Sequence, residues 1–201
     1  MYIALDLQLF ALNYAKVDNP YGFTITKNIY VKGDIKTQIE YNLVEYYKKI
    51  PNYDTITTLP EENADYIKEA LPNVTSCEQM MGHYFLLFGQ GCKKLTSIDT
   101  TGWDTSNIIS MNGMFNGCNA LTTLDISNWD TSNVVKMNGM FSVYFGEMKL
   151  TTVTGVIDMK SCTSYNNMFY NCPNLAGVKI KNPPSGFNGG GLSSSQYTIV
   201  S

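Results

Sequence analysis

Histidine is almost missing: His83 is the only one in 201 residues. A Cys-His or Ser-His-Asp centre must use that side chain or not exist. Its place in the insertion Gly82-His-Tyr-Phe-Leu-Leu-Phe88 is that of a structural residue. Charge is sparse as well. With 14 Lys+Arg, a formal net charge of −3 and no basic run, the chain lacks the clustered cations that binding to nucleic-acid phosphates requires. Long apolar runs are absent. Met1 to Ala15 is interrupted by Asp6, Gln8 and Asn13 and follows no Lys or Arg. It therefore does not read as a signal peptide, and no window reaches the ~20 apolar residues of a spanning helix. The expectation is a protein made in a cytoplasm and not inserted in a membrane. The five cysteines form no CxxC pair and are odd in number, so they read as free thiols without zinc-ligand spacing.

What is present is 44% hydrophobic and only 15% charged residues, the remainder being rich in Asn, Ser, Thr and Gly. That is a globular, β-rich and turn-rich composition. More than half of the chain repeats. Leu95-Thr-Ser-Ile98-Asp99, Trp103-Asp104-Thr-Ser-Asn107 and Met111-Asn-Gly-Met114-Phe115 return as Leu121-Thr-Thr-Leu124-Asp125, Trp129-Asp130-Thr-Ser-Asn133 and Met137-Asn-Gly-Met140-Phe141, offset by 26 residues throughout. A third copy starts at Leu150 and aligns Val153, Ile157-Asp158, Tyr165 and Met168-Phe169. A partial fourth starts at Leu175 with Val178 and Ile180. Cys77-Glu-Gln-Met80-Met81 reads as the tail of a degenerate first copy.

A period near 26 residues belongs to a solenoid whose turns bury their apolar faces only by stacking. The two-residue period of a strand turns Ile98, Leu124, Val153 and Val178 inward and Asp99, Asp125, Thr154 and Lys179 outward. Columns are expected of Met111, Met137 and Tyr165, of Met114, Met140 and Met168, and of Phe115, Phe141 and Phe169. Cys92, Cys118 and Cys172 make a further buried column, and Asn107 and Asn133 bond neighbouring backbone. The column Asp104, Asp130 and Asp158 supplies one carboxylate per turn beside Ser and Thr, which reads as turn capping and not as a calcium site. Gly186 to Gly191 lacks the context of a phosphate loop. No cofactor, metal or catalytic residue is expected.

This pattern resembles the BspA-like family of bacterial leucine-rich repeats over about residues 74–182. The resemblance implies an α/β repeat fold, a short right-handed solenoid of about four turns with a parallel sheet on one face. It also implies attachment and protein contacts in place of catalysis. The third copy departs from it, with Ile157-Asp158-Met159-Lys160-Ser161 where the others have W-D-T-S-N.

Around the repeats, Ile35, Ile39, Leu43, Tyr46, Tyr47 and Ile50 recur at helical spacing before Pro51, which predicts an amphipathic helix. Pro60 to Leu71 predicts a second, with Glu61 and Glu62 at its start and Pro72 at its end. The organisation expected is an N-terminal arm over 1–33, a helical cap or small subdomain over 34–73, the solenoid over 74–182 and a tail over 183–201. Lys179, Lys181 and Pro183-Pro184 look like a blunted sheet edge, and Gly189-Gly190-Gly191-Leu-Ser-Ser-Ser like a flexible tract. Gln196 to Val200 reads equally as an added strand or as disordered tail.

The opening Leu5-Asp6-Leu7-Gln8-Leu9-Phe10-Ala11 resembles the start of structural proteins, capsid proteins especially, of phages of Gram-positive bacteria. The resemblance implies a non-enzymatic virion protein, a capsid decoration on the head surface, attached to a phage capsid protein or other virion protein through Leu5, Leu7, Leu9 and Phe10. The outward partner would be a host surface protein or glycan. Contact residues are then Asp99, Asp125 and Lys179 on the exposed sheet and Tyr144 and Phe145 in a link that is three residues longer between Phe141 and Leu150 than after Phe115. The alternative is a host-binding adhesin or receptor-binding protein on a phage tail or bacterial surface.

Overall fold

The computed structural model describes residues 24–31, 34–40, 43–44, 46–82 and 92–201. The chain divides into two compact units, residues 1–42 and 43–201. In the first, β1 (Thr24–Val31) and β2 (Asp34–Glu40) pair antiparallel from Thr24↔Glu40 to Val31↔Asp34, with a bulge between Ile25 and Lys27. The helix expected over Ile35 to Ile50 is therefore not formed. Ile35 and Ile39 are four apart, but Ile35, Thr37 and Ile39 also alternate and are β-branched, and that second period fits a strand. The boundary expected after residue 33 falls inside this hairpin, and the division between units comes after Asn42 instead.

The second unit starts with a cap. Tyr46–Lys49 is a single 3-10 turn, and α1 (Glu61–Ala70) runs on into a 3-10 turn at Leu71–Asn73. Pro60, with φ −57°, stands at the N-cap, where a missing N–H costs nothing. Glu61 and Glu62 lie at the positive end of the helix dipole and Lys68 near its negative end. The face of α1 that carries Tyr66, Ile67 and Ala70 is buried with Leu43, Tyr46, Tyr47, Ile50 and Leu71. Tyr46 stacks on Tyr66 at 5.0 Å, and its hydroxyl accepts a 3.1 Å bond from Asn63 Nδ2. Backbone bonds tie this cap to the repeats: Tyr47 N–H donates to Met80 O at 2.8 Å, and Thr96 N–H donates to Thr57 O at 2.9 Å.

From residue 74 onward the copies lie on one another in parallel register. Ser76 bridges Ser110, Ser110 bridges Lys136 and Lys136 bridges Ser164. On the opposite side β3 (Thr123–Asp125) pairs β4 (Thr152–Thr154), and β5 (Val156–Asp158), β6 (Val178–Lys181) and β7 (Tyr197–Val200) form a second parallel sheet. Gly155 separates β4 from β5 at φ +110°. A Cβ there would meet the backbone of Ile126 and Ser127 at 2.8 Å, so only glycine fits.

The return segments carry the longest ladder. Met111 N–H donates to Lys136 O, Gly113 to Asn138 O and Phe115 to Met140 O. One turn later Met137 donates to Ser164 O, Gly139 to Asn166 O and Phe141 to Met168 O, all at 2.7–2.9 Å. Each of these segments has one residue in the left-handed region: Gln79 (φ 53°), Gly113 (58°), Gly139 (58°) and Asn167 (55°). Because Phe169 N–H donates to Gly190 O, the same ladder places Gly189 (φ 85°) in that column. Residues 183–201 therefore add a further turn and not a tail. β6 is correspondingly not the edge expected from Lys179, Lys181 and the proline pair, since β7 covers it.

Between the two sides the columns close the core. Phe115, Phe141 and Phe169 stack at 5.8 and 5.3 Å with rings within 9° of parallel, and Trp103 stacks on Trp129 at 5.8 Å. Met111, Met114, Met137, Met140 and Met168 are buried, whereas Tyr165 is half-buried and leans on Phe187 at 5.2 Å. Leu124, Val153 and Val178 are buried as the alternation requires, with Ile98 only half-buried.

Candidate interaction surface

The acidic side chains of the repeats hold turns. Asp99, Asp104, Asp125, Asp130 and Asp158 each accept, through Oδ1, the backbone N–H two residues on, at 2.9–3.0 Å. Hydroxyl and N–H donation from Ser106, Ser127 and Ser132 holds Asp104, Asp125 and Asp130 below the usual carboxylate range. For Asp99 the donors are the hydroxyl and N–H of Thr101, with a smaller pull from Lys68. Threonines bind one turn to the next. Thr105 Oγ1 donates to Asp130 O and accepts from Asp130 N–H, and Thr131 does the same with Asp158. The hydroxyls of Thr96, Thr122 and Thr151 donate to the carbonyls of Thr57, Thr96 and Thr122.

Asparagine amides repeat this on the other corner. Asn107 Nδ2 donates to Pro72 O at 2.8 Å and Asn133 Nδ2 to Ser106 O at 2.9 Å. Asn138 donates its N–H and its amide to Asn112 Oδ1, while its own Oδ1 accepts from Asn166 N–H and Ser164 Oγ. Asn116 Nδ2 donates to Ser142 Oγ inside the core. Most of these polar groups bridge two turns.

The five cysteines are free and buried. Burial pushes the thiols of Cys92 and Cys172 up to about 12 and raises those of Cys77, Cys118 and Cys162, which leaves no reactive thiolate near neutral pH. Among the described residues no group of three or more His, Cys, Asp or Glu could hold a metal ion, and no helix is long and apolar enough to cross a membrane. His83 and the arm residues Leu5, Leu7, Leu9 and Phe10 lie outside the described residues.

Of the expected contact residues, Asp99, Asp125 and Lys179 are exposed; Asp99 and Asp125 line one shallow pocket on successive turns, whereas Lys179 lies on β6, in the other sheet. Tyr144 is half-buried and packs on Tyr170 at 5.4 Å. Phe145 stands 55% exposed beside it, on a loop held by Asn119 Nδ2 donating to Phe145 O. Tyr170, 41% exposed, belongs to this aromatic cluster and was not anticipated. Its signal was available in the alignment of Phe169-Tyr170 with Phe141-Ser142, where one copy carries an aromatic at a small polar position.

A second surface was also missed. Pro72, Val74, Ile109 and Val135 floor a groove of about 490 Å³ that is rimmed by Asn107 and Asn133 and has no charged lining residue. Ile109 is 47% exposed. The adjacent pairs Ile108-Ile109 and Val134-Val135 hold the clue, since neighbours on an extended segment face opposite ways and one of each pair must point outward.

No curated protein and no solved structure matches the chain. Residues 73–182, more than half of its length, match the family model described as "Mycoplasma protein of unknown function, DUF285", and the chain belongs to that family.

Proposed function

We propose that this is a non-enzymatic binding and structural protein. Its repeats form a short leucine-rich-repeat solenoid of the BspA-like kind, and its N-terminal region attaches that solenoid to a larger particle. The observation that carries this reading is the use made of the polar side chains. The repeat carboxylates cap turns, the asparagines and threonines bridge turns, and the thiols are buried. Side chains with the potential for chemistry are thus committed to rigidity, and a rigid array displaying an uncharged groove and one aromatic loop suits recognition of a macromolecule.

Within that class the opening Leu5 to Ala11 favours a phage capsid decoration protein, made in the host cytoplasm and carried on the virion head. Co-sedimentation with capsids lacking this component tests it. Full-length chain should bind saturably and a chain without residues 1–15 should not. Equal binding by both, or by neither, would overturn the attachment role of the arm.

The exposure of Phe145 and Tyr170 favours a second reading, an adhesin that contacts a host surface protein or glycan through this loop. Aromatic residues anchor interfaces out of proportion to their number. Phe145→Ser with Tyr170→Ser should then abolish binding to host cells while leaving capsid attachment intact. Unchanged host binding would remove the loop from consideration.

A further inference from the structure

The outer edge of β7 is chemically unlike the rest of the surface. Val178 N–H donates to Gln196 O at 3.0 Å, and β6 and β7 run parallel with Val178 opposite Tyr197. In a parallel ladder, backbone groups alternate between the two sides of a strand. Thr198 and Val200 thus face β6, and the N–H and C=O of Tyr197 and Ile199 point away from it. Among the described residues nothing pairs with that side, since β7 ends the sheet order β5-β6-β7. The side chains of Tyr197 and Ile199 continue the inward columns of Val178 and Ile180, yet Ile199 is 51% exposed.

Sheet edges are normally blunted by charge, proline or a bulge. Tyr197-Thr198-Ile199-Val200 has none of these, and all four residues favour strands. The opposite end of the stack is closed by residues 43–73, so it offers no edge to accept β7 head to tail.

The geometry points to β7 as a self-association site: two copies of this chain join their β7 strands antiparallel about a two-fold axis, making one sheet continuous across both. What the edge demands is another strand's backbone, and β7 supplies its own complement. The axis passes through Thr198, which places Tyr197 opposite Ile199 of the second copy, so that the outward N–H and C=O groups of each meet those of the other. An aromatic opposite a β-branched residue is a favourable cross-strand combination, and an isologous contact of this kind closes at two copies. Four residues make a short edge, so the dimer belongs to the weak, concentration-dependent class. This inference is independent of which partner the aromatic loop or the arm binds.

Sedimentation equilibrium of the full chain from micromolar to millimolar concentration tests it. The mass should rise from the 22.5 kDa monomer toward twice that value. Ile199→Pro removes an outward N–H without touching a bond to β6, and it should weaken association at least tenfold while the unfolding midpoint stays within a few degrees. Ile199→Lys, which keeps the backbone donor and places like charges near the axis, should do the same and covers the case in which the proline variant misfolds. A chain that remains monomeric throughout would overturn the proposal. So would association that both variants leave undiminished.

Discussion

At its first turn the stack is closed by residues 43–73, whereas at its last turn one side of β7 pairs with no strand among the described residues. The closing layer buries Tyr46, Tyr47, Tyr66, Ile67 and Leu71, each at most 2% exposed. The final turn leaves Ile199 half in solvent and holds Phe187 and Tyr197 only partly covered. The same repeat chemistry therefore ends in two ways. One end meets an element from outside the repeat, and among the described residues the other meets none. The difference teaches where the stability of such a stack comes from. A turn is as stable as the neighbours that cover it on both faces, so the middle and the capped start should behave as one unit and the last turn should be the first to open.

The largest effects should come from the covered regions. Phe141 is sandwiched between Phe115 and Phe169, and Tyr66 is the aromatic centre of the cap. Phe141→Ala and Tyr66→Ala should each lower stability by about 3 to 5 kcal/mol, against about 1 kcal/mol for Tyr197→Ala on the open turn. Denaturant midpoints compare the three directly. A loss at Tyr197 equal to that at Tyr66 would break the distinction between the ends. Hydrogen exchange sharpens the same comparison. The amides of Met137, Gly139 and Phe141 should exchange only on global unfolding, and those of Tyr197 and Ile199 several orders of magnitude faster. Uniform protection along the stack would show that the open turn is not locally weaker.

The asymmetry of the ends was only half visible in the sequence, for a physical reason. Side chains that recur in columns announce themselves, as Met114, Met140 and Met168 or Phe115, Phe141 and Phe169 do, because each turn must present the same shape to the next. The helix α1 was marked by Pro60, Glu61 and Glu62. The last turn carried no such mark. Its left-handed position is occupied by Gly189 in a run of three glycines, and glycine is equally the residue of a flexible tract, so the backbone role hides behind the composition. β2 was obscured because Ile35 and Ile39 satisfy two periods at once. On the surface, the exposure of Asp99, Asp125, Lys179 and Phe145 followed from alternation and loop length. Ile109 required knowing which neighbour in a pair turns outward, and that is fixed by the bonds to Thr75 O and from Val135 N–H that hold the corner.

A smaller effect separates the degenerate first turn from the regular ones. Gln79 adopts φ 53° where Gly113 and Gly139 adopt 58°, and its Oε1 is buried with no hydrogen-bond partner among the described residues. A left-handed non-glycine residue costs about 1 kcal/mol or more, and part of that is offset because glycine loses more entropy on folding. Gln79→Gly should therefore stabilise by about 1 kcal/mol, a rise of roughly 2 to 4 °C in Tm. A fall in Tm would mean that the glutamine side chain holds the junction between cap and stack more firmly than its conformation strains it.

The smallest effect concerns the turns of the middle repeats under acid. Asp104 and Asp130 are held below the usual carboxylate range by donation from Ser106 and Ser132, so their folded-state affinity for protons is lower than in the unfolded chain. A group of this kind contributes stability above its unfolded value, near 4 for Asp, and loses that contribution as pH falls toward the depressed folded value. Both carboxylates face water, which keeps the contribution small. Asn at either position still accepts the N–H but does not titrate. Asp104→Asn with Asp130→Asn should thus flatten the decline in Tm between about pH 5 and pH 2 while changing Tm little at neutral pH. If the slope persists, the acid sensitivity belongs to carboxylates elsewhere, and the turns of the covered middle are held by their inter-turn threonine and asparagine bonds alone.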